Sequence, residues 1–207
     1  MNNAQKSIYF LKIFKAAEKK YSSSEKRLAG DGWPKGWQTL ITTIYSAQSR
    51  DEVTIPVMEN AFVQLPTLQS WSNAPLSKIM KSTKKINYYK TKSRNAKKTA
   101  GMLIKKFKGE VPDTIESLTE LPGVGRKTAN LVLSEIHKKD GITVDTHVHR
   151  IANVFDFVKT KTPYQTELEL MKIVPKKYWS RINRTLVLWG KDVRGKDKDK
   201  FLKKLRE

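Results

Sequence analysis

The sequence contains no cysteine among its 207 residues. Disulfide bonds and thiolate-bound metal or iron–sulfur centres are therefore excluded. No apolar run reaches the length of about 20 residues that a membrane-spanning helix needs. Residues 1–6 lack the apolar core of a secretion signal, and the three histidines (His137, His147 and His149) do not form a metal-ligand set. These absences predict a cytoplasmic protein with no metal site and no membrane contact.

Acidic residues are scarce as well. The chain has 41 Lys and Arg against 20 Asp and Glu, a net charge of +21, and no acidic residue lies between Glu59 and Glu110. This acid-free stretch, residues 60–109, holds twelve basic residues, with Tyr88 and Tyr89 in its middle. Clustered positive charge favours a polyanion partner, and aromatic rings can stack on bases or wedge between them. We predict that the acid-free stretch forms part of a DNA-binding face.

Apolar residues recur with helical spacing in nearly every segment, and no segment shows the sustained alternation of a strand. The sequence therefore predicts an all-α fold whose helices are too short for a long coiled coil. The predicted helices span residues 8–17, 37–48, 53–65, 75–86, 94–107, 113–121, 127–137, 146–155, 165–174, 178–188 and 198–205.

The most specific motif is Leu-Pro-Gly-Val-Gly-Arg-Lys-Thr-Ala-Asn at residues 121–130. Its proline and glycines make a tight turn between two helical segments. Glycine lets the backbone approach an anion closely, and the start of the next helix adds its positive dipole end. A lone Gly-x-Gly is common in ordinary turns, but the ten-residue string is much more specific. It predicts contacts to DNA phosphate from the following residues: Gly123, Val124, Gly125, Arg126 and Thr128.

Further elements accompany this string. Asp145, in Val-Asp-Thr-His, follows Lys127 by eighteen residues, and Ser-Ala-Gln at residues 46–48 precedes both. Gly-Glu-Val-Pro at residues 109–112 comes just before the turn. Together these elements resemble the endonuclease III branch of the helix-hairpin-helix-GPD superfamily of DNA glycosylases. The resemblance runs roughly from Gly36 to Gly190.

The resemblance implies a fold of two helical lobes. Residues 36–138 would form a central lobe that contains the helix-hairpin-helix, and residues 1–35 and 139–207 would form the second. Double-stranded DNA would lie across the cleft between the lobes, with Lys127 and Asp145 at its mouth. A monomer is expected, and in a prokaryote it would be associated with the nucleoid. Hairpin carbonyls in such folds can hold a monovalent cation. The resemblance implies no other cofactor.

The catalytic roles implied are those of Lys127 and Asp145. An amine nucleophile must lose its proton, so burial or a neighbouring cation such as Arg126 must lower the pKa of the lysine. Asp145 precedes a predicted helix, where a carboxylate serves as a cap. A capping carboxylate is also fixed in place, ready to stabilise the positive charge that develops on a sugar.

The resemblance also implies roles in DNA binding. Gln48 would fill the gap left by an extruded base. Tyr88 would be either a wedge in the duplex or an aromatic residue of the core, and the sequence leaves both readings open. Lys90 and Lys92 would bind phosphates. Two residues are assigned to the base pocket, where local packing is the simpler role for the second: Ser46 and His147.

The function implied is base excision followed by β-elimination at the abasic site, with oxidised pyrimidines as the default substrates. A monofunctional uracil or mismatched-thymine glycosylase is one alternative, although such relatives generally lack a lysine at position 127. A non-catalytic helix-hairpin-helix module is another, and the pair of Lys127 and Asp145 argues against it. The chain departs from the family in two places. Residues 140–144 contain glycine but no proline, and residues 191–200 replace the four-cysteine loop that holds an iron–sulfur cluster in many relatives.

Overall fold

The structure is a computed structural model that describes residues 1–139 and 141–207. Asp140, the first residue of the segment 140–144 that contains glycine but no proline, lies outside the described residues. The described chain folds into helices and contains no strand, which confirms the all-α prediction. None of its described helices has the length and hydropathy that a membrane span requires. The helices are α1 Asn3–Tyr21, α2 Gly36–Ser46, α3 Asp51–Gln64, α4 Leu68–Asn73, α5 Leu76–Thr83, α6 Tyr89–Phe107, α7 Ile115–Thr119, α8 Arg126–His137, α9 Thr146–Val154, α10 Pro163–Ile173, α11 Trp179–Asp192 and α12 Lys198–Arg206, with a 3-10 turn at Lys176–Tyr178 before α11.

Three helices differ most from the sequence prediction. Helix α1 extends over Asn3–Tyr21, beyond both ends of the predicted residues 8–17. Helix α4 was not predicted, because six residues with a single large aromatic anchor, the buried Trp71, are too short to show a period. The Thr67 hydroxyl caps this helix by accepting a bond from the Ser70 amide at 3.0 Å. Helix α6 begins at Tyr89 rather than at residue 94. Its first turn carries Lys90 and Lys92, so the apolar spacing from which the helix is predicted does not extend to its start.

The chain divides into two compact units. The central unit comprises residues 27–138, and the terminal unit comprises residues 1–26 and 139–207. Residues 27–35 had been assigned to the second lobe, and this was wrong. They pack within the central unit, where the Trp33 ring meets Phe62 edge-on with centroids 5.1 Å apart. Arg27 stacks over Trp33 at 4.3 Å and pairs with Glu59 at 2.6 Å.

Helix α2 runs through the core of the central unit, and most of its residues are buried. Around it pack rings and aliphatic side chains from α3 to α8, including the fully buried Trp71. Three buried hydroxyls join α2 to α5 and α6. Tyr45 Oη donates to Ser93 Oγ at 3.0 Å, and Ser93 Oγ lies 3.0 Å from Thr83 Oγ1. Burial raises the pKa of Tyr45 to about 12, so this phenol remains a donor at neutral pH.

Aromatic rings form the core of the terminal unit. Phe155 stacks on Phe157 at 5.5 Å and lies 5.3 Å from Trp189. Phe201, from α12, packs edge-on against Trp189 at 5.1 Å. Phe10, from α1, meets Phe157 at 5.0 Å. Helices from both ends of the chain therefore complete one core with α9 and α11.

Arg150 binds backbone carbonyls at the end of α11 and in the segment that follows it. Its Nη2 donates to the carbonyls of Gly190 at 2.6 Å and Val193 at 3.0 Å, and its Nη1 donates to that of Gly195 at 2.8 Å. The guanidinium also lies over the Phe201 ring, 5.4 Å from its centroid. Charge-assisted hydrogen bonds, which are stronger than neutral ones, thus tie the end of α11 to α9, and the ring contact adds α12.

The acid-free stretch does not present all of its cations to solvent. Lys92 is buried. Lys97 donates to the carbonyls of Ser72 at 2.5 Å and Ala74 at 2.7 Å. Lys106 forms an ion pair with Glu120. Three of the twelve basic residues therefore bind the protein itself, and the predicted DNA-binding face is correspondingly smaller.

We predict that α12 is an integral part of the terminal unit. Phe201→Ala removes a fully buried ring from the aromatic core, and such changes cost about 3–5 kcal/mol. Urea unfolding followed by circular dichroism should show this loss. The control Lys203→Ala changes an exposed residue of the same helix and should change the unfolding free energy by less than about 0.5 kcal/mol. Equal stability of the two variants would contradict the assignment.

Candidate active site

The hairpin between α7 and α8 is held by its own backbone and by the core beneath it. Gly123 has φ of +83°, a conformation that side chains disfavour. A Cβ there would lie 2.8 Å from Asn95 Nδ2, so the close packing also requires glycine. The Val124 amide donates to Leu121 O at 3.0 Å, and the Val124 side chain is buried. The hairpin therefore presents its glycine backbone to solvent while its valine anchors it.

Helix α8 begins directly after this turn. Gly125 is its N-cap and makes no side-chain cap, so the first amides of the helix are open to an anion. Arg126 and Lys127 are exposed in the first turn, and Thr128 is buried. Lys127 is exposed, so of the two means of activation considered from the sequence, burial is not present and the neighbouring Arg126 is.

Asp145 is the N-cap of α9. Its Oδ1 accepts bonds from the amides of His147 and Val148, both at 2.9 Å. Within residues 1–139 and 141–207, its Oδ2 has no hydrogen-bond partner. The capping role considered from the sequence is therefore real. One oxygen fixes the carboxylate, and the other remains available for a substrate.

His147 packs tightly against α11 in the same unit. A Cβ on Gly190 would lie 2.6 Å from His147 Nδ1, so only glycine fits at that position. Arg150 Nη2 lies 3.3 Å from Nδ1. Burial lowers the pKa of His147, although the negative charge of Asp145 opposes the shift. The lowered pKa favours the neutral ring. Its role in a base pocket stays a prediction.

Gln48 and Tyr88 occupy two exposed loop tips of the central unit. Both have left-handed backbones, with φ of 53° and 57°. Tyr88 is 68% exposed, which excludes the alternative that it is a core aromatic. Asn87 Nδ2 donates to the carbonyl of Gln48 at 3.0 Å and thereby joins the two tips. Ser46, assigned to the base pocket, is half-buried and donates to Thr43 O at 3.0 Å.

Lys92 is not the phosphate-binding residue that was predicted. Its side chain is 7% exposed, and Nζ donates to the carbonyls of Tyr45 at 2.8 Å and Ala47 at 2.5 Å and to Ser49 Oγ at 3.2 Å. These acceptors use all three N–H groups of an ammonium. Burial lowers the pKa of Lys92 to about 8. Lys90, by contrast, is exposed and accessible to phosphate.

Sequence reasoning missed the structural roles of Lys92, Asn87 and Arg150. One signal existed for Lys92, because it precedes the buried residues Ala96, Ala100 and Leu103 at helical spacings on α6. No pattern marked Asn87, whose partner lies 39 positions away. The same holds for Arg150, whose acceptors lie 40–45 positions ahead.

The residues at the end of α11 do not fit an iron–sulfur cluster. The chain has no thiolate to offer. The Arg150 guanidinium already donates to the carbonyls of this segment, and a cation cannot serve as a ligand of iron. Nor does any group of three or more Asp, Glu or His side chains in the described chain form a metal site.

Comparison with known proteins places this arrangement in a family. Residues 41–176 match the HhH-GPD superfamily of base excision DNA repair proteins. The chain is 39% identical to endonuclease III of Thermotoga maritima over 157 residues, which cover 76% of this chain and 74% of that protein. It is 33% identical to endonuclease III of Bacillus subtilis, over 75% of this chain and 71% of that one.

Solved structures agree. A trapped endonuclease III–DNA covalent intermediate superposes with a TM-score of 0.83 at 31% identity, covering 90% of this chain and 86% of that one. A non-covalent endonuclease III–DNA complex gives 0.86 at 28% identity, covering 97% and 99%. Because the family match spans well over half of the sequence and the relatives exceed 30% identity over most of their length, this chain belongs to the HhH-GPD superfamily of base excision DNA repair proteins.

Proposed function

We propose that this protein is a bifunctional DNA glycosylase and abasic-site lyase that acts on damaged bases, oxidised pyrimidines above all, in double-stranded DNA. The observation that carries the proposal is Lys127, an exposed amine in the first turn of α8 immediately after the hairpin. Similarity to an endonuclease III that forms a covalent intermediate with DNA supports it. The net charge of +21 suits the phosphate backbone.

In the proposed reaction, the damaged nucleotide is first flipped out of the duplex, because its C1′ atom is inaccessible within the stack. The unprotonated Lys127 amine attacks C1′, the glycosidic bond breaks, and the base leaves with the bonding electrons and a proton. The sugar ring then opens to a Schiff base. Loss of a C2′ proton expels the 3′ phosphate by β-elimination.

Asp145 supports this chemistry through its fixed charge. Glycosidic cleavage develops positive charge on the sugar, and a carboxylate already held by two amide hydrogen bonds need not reorganise to stabilise that charge. Its second oxygen provides the point of contact.

We further propose that the hairpin and first turn of α8 bind a DNA phosphate. Gly123 and Gly125 expose backbone to solvent there, and Arg126 adds charge. Lys90 binds a second phosphate, while Gln48 and Tyr88 act on the duplex where the base has left. The cation-binding role of the hairpin carbonyls remains part of this proposal.

Lys127→Gln should abolish covalent trapping. Borohydride reduces the Schiff base of the parent protein on lesion-containing duplex, and the amide cannot form one. DNA binding, measured by fluorescence anisotropy, should stay within about threefold of the parent, because one surface charge contributes little to a large electrostatic interface. Lys15→Gln, an exposed lysine of α1, is the charge-matched control and should still be trapped.

The result also separates the alternatives. A Lys127→Gln protein that nicks abasic DNA at the parent rate would sink the assignment. Base excision that persists without strand cleavage would favour a monofunctional glycosylase. A parent protein that binds every lesion duplex but neither excises nor traps would be a binding module.

Asp145→Asn should slow base excision by about 100-fold, the lower range for loss of one preorganised electrostatic contact. Stability should change by less than about 0.5 kcal/mol, because asparagine caps helices nearly as well as aspartate. Single-turnover excision and thermal unfolding measure the two effects. Asp197→Asn is the matched control, since Asp197 caps α12 through bonds to two amides at 3.0 and 3.3 Å. An unchanged excision rate would leave Asp145 as a cap alone.

Activity should not depend on a metal or cluster. The proposed steps use an amine and a carboxylate, and the chain has no cysteine. Purified protein should lack iron–sulfur absorbance, and its excision rate should be unchanged after dialysis against EDTA. Loss of activity in the chelator, with recovery on adding a divalent metal, would contradict this prediction.

A further inference from the structure

Two exposed loop tips of the central unit are built on one buried cation. The first tip is Gln48, in the loop between α2 and α3, and the second is Tyr88, immediately before α6. Lys92 lies one turn into α6, and its amide donates to Tyr88 O at 3.1 Å. Its ammonium reaches back to the end of α2 and binds oxygens on both sides of Gln48: Tyr45 O, Ala47 O and Ser49 Oγ.

The tips are also joined directly. Asn87, next to Tyr88, donates its side-chain amide to the carbonyl of Gln48 at 3.0 Å. Beneath them, the hydroxyl of Tyr45, whose carbonyl Lys92 binds, donates to Oγ of Ser93, the residue after Lys92, at 3.0 Å. The loop and the helix start are therefore linked at three levels, by an exposed amide, a buried ammonium and a buried hydroxyl.

These contacts hold two residues whose backbone conformation is strained. Gln48 and Tyr88 both adopt the left-handed conformation, which is unfavourable for residues other than glycine. Such strain persists only where surrounding contacts hold it, and it is concentrated at functional sites. A buried charge whose hydrogen bonds go to two carbonyls and a hydroxyl of the neighbouring loop is a contact of that kind.

We propose that Lys92 and Asn87 are positioning residues that hold Gln48 and Tyr88 as one preformed element. This element inserts into the duplex as a unit when a base is extruded. The inference rests on the proposed function, because it concerns how the free protein is preorganised for base extrusion. Neither positioning residue needs to touch DNA. A preformed pair avoids the ordering of two separate loops upon binding.

The test compares substrates that differ only in how much unstacking they require. One duplex carries a paired lesion, and the other carries the same lesion in a pre-unpaired bubble. Lys92→Met should slow single-turnover excision about tenfold on the paired duplex and less than twofold in the bubble, since extrusion is easiest for an unpaired base. Rates are normalised to the fraction of protein that borohydride traps in the bubble, so partial misfolding cancels. Equal loss on both substrates would overturn the proposal.

Lys97→Met is the matched control. Lys97 lies on the same helix and binds two carbonyls at the end of α4, away from the tips. Any loss it causes should be equal on the two substrates. Asn87→Ala provides a second variant that should fold, because Asn87 is exposed, and it should reproduce the substrate dependence of Lys92→Met at smaller size. No substrate dependence in Asn87→Ala and Lys92→Met would contradict the inference.

A further variant tests whether Lys92 acts through Gln48 and Tyr88. In a Gln48→Ala/Tyr88→Ala background, adding Lys92→Met should change paired-duplex excision less than twofold, since the element it positions is gone. A further tenfold loss would mean that Lys92 acts elsewhere.

A binding assay keeps the inference separate from the proposed chemistry. In the Lys127→Gln protein, which cannot form the Schiff base, 2-aminopurine opposite the lesion reports unstacking by its fluorescence. Lys92→Met should reduce the fluorescence gain at saturating protein. A fluorescence gain equal to that of the Lys127→Gln protein with Lys92 intact would overturn the positioning role. If the protein with Lys127 intact shows the gain but excises no base, only the proposed chemistry is refuted.

Discussion

Charge-assisted hydrogen bonds from cations to backbone carbonyls hold the ends of several helices in this protein. Lys92 binds the end of α2, Lys97 the end of α4 and Arg150 the end of α11. The last carbonyls of a helix have no partner within it and form the negative end of its dipole. In a chain with a net charge of +21, these carbonyls are acceptors that do not require acidic side chains. The lysines and arginines that make the protein positively charged, as a DNA partner requires, thus also stabilise its fold.

The terminal unit shows what this constraint permits. The segment after α11 contains no cysteine and is organised by a cation and by rings. One guanidinium binds three carbonyls at the end of α11 and after it and stacks on Phe201, while aromatic rings from α1, α11, α12 and the loop after α9 fill the core. The consequence reaches Asp145, because the same guanidinium bonds to His147 in the first turn of α9. Packing at the end of the chain and the orientation of the carboxylate are therefore parts of one network.

The candidate site residues of both units are held by backbone and core contacts. The hairpin leaves amides open because Gly125, the N-cap of α8, has no side chain to bind them, and Lys127 stands in that exposed first turn. In the terminal unit, Asp145 uses one oxygen as a cap. In the central unit, Gln48 and Tyr88 are exposed on strained backbones, while Lys92, which binds the loop of Gln48, is itself buried.

The sequence by itself determined the helical class and the hairpin, because these depend on local period and local turn chemistry. It also made Lys127 and Asp145 the catalytic candidates through their motif and spacing, and it excluded a thiolate-held cluster because it contains no cysteine. Tertiary structure decided the rest. Residues 27–35 joined the central unit through aromatic contacts with α3, and Lys92 turned inward although its neighbour Lys90 faces solvent. A lysine is chemically the same in both places. Only the two carbonyls and the hydroxyl brought to it from positions 43 to 47 residues earlier in the chain distinguish the buried structural cation from the exposed one.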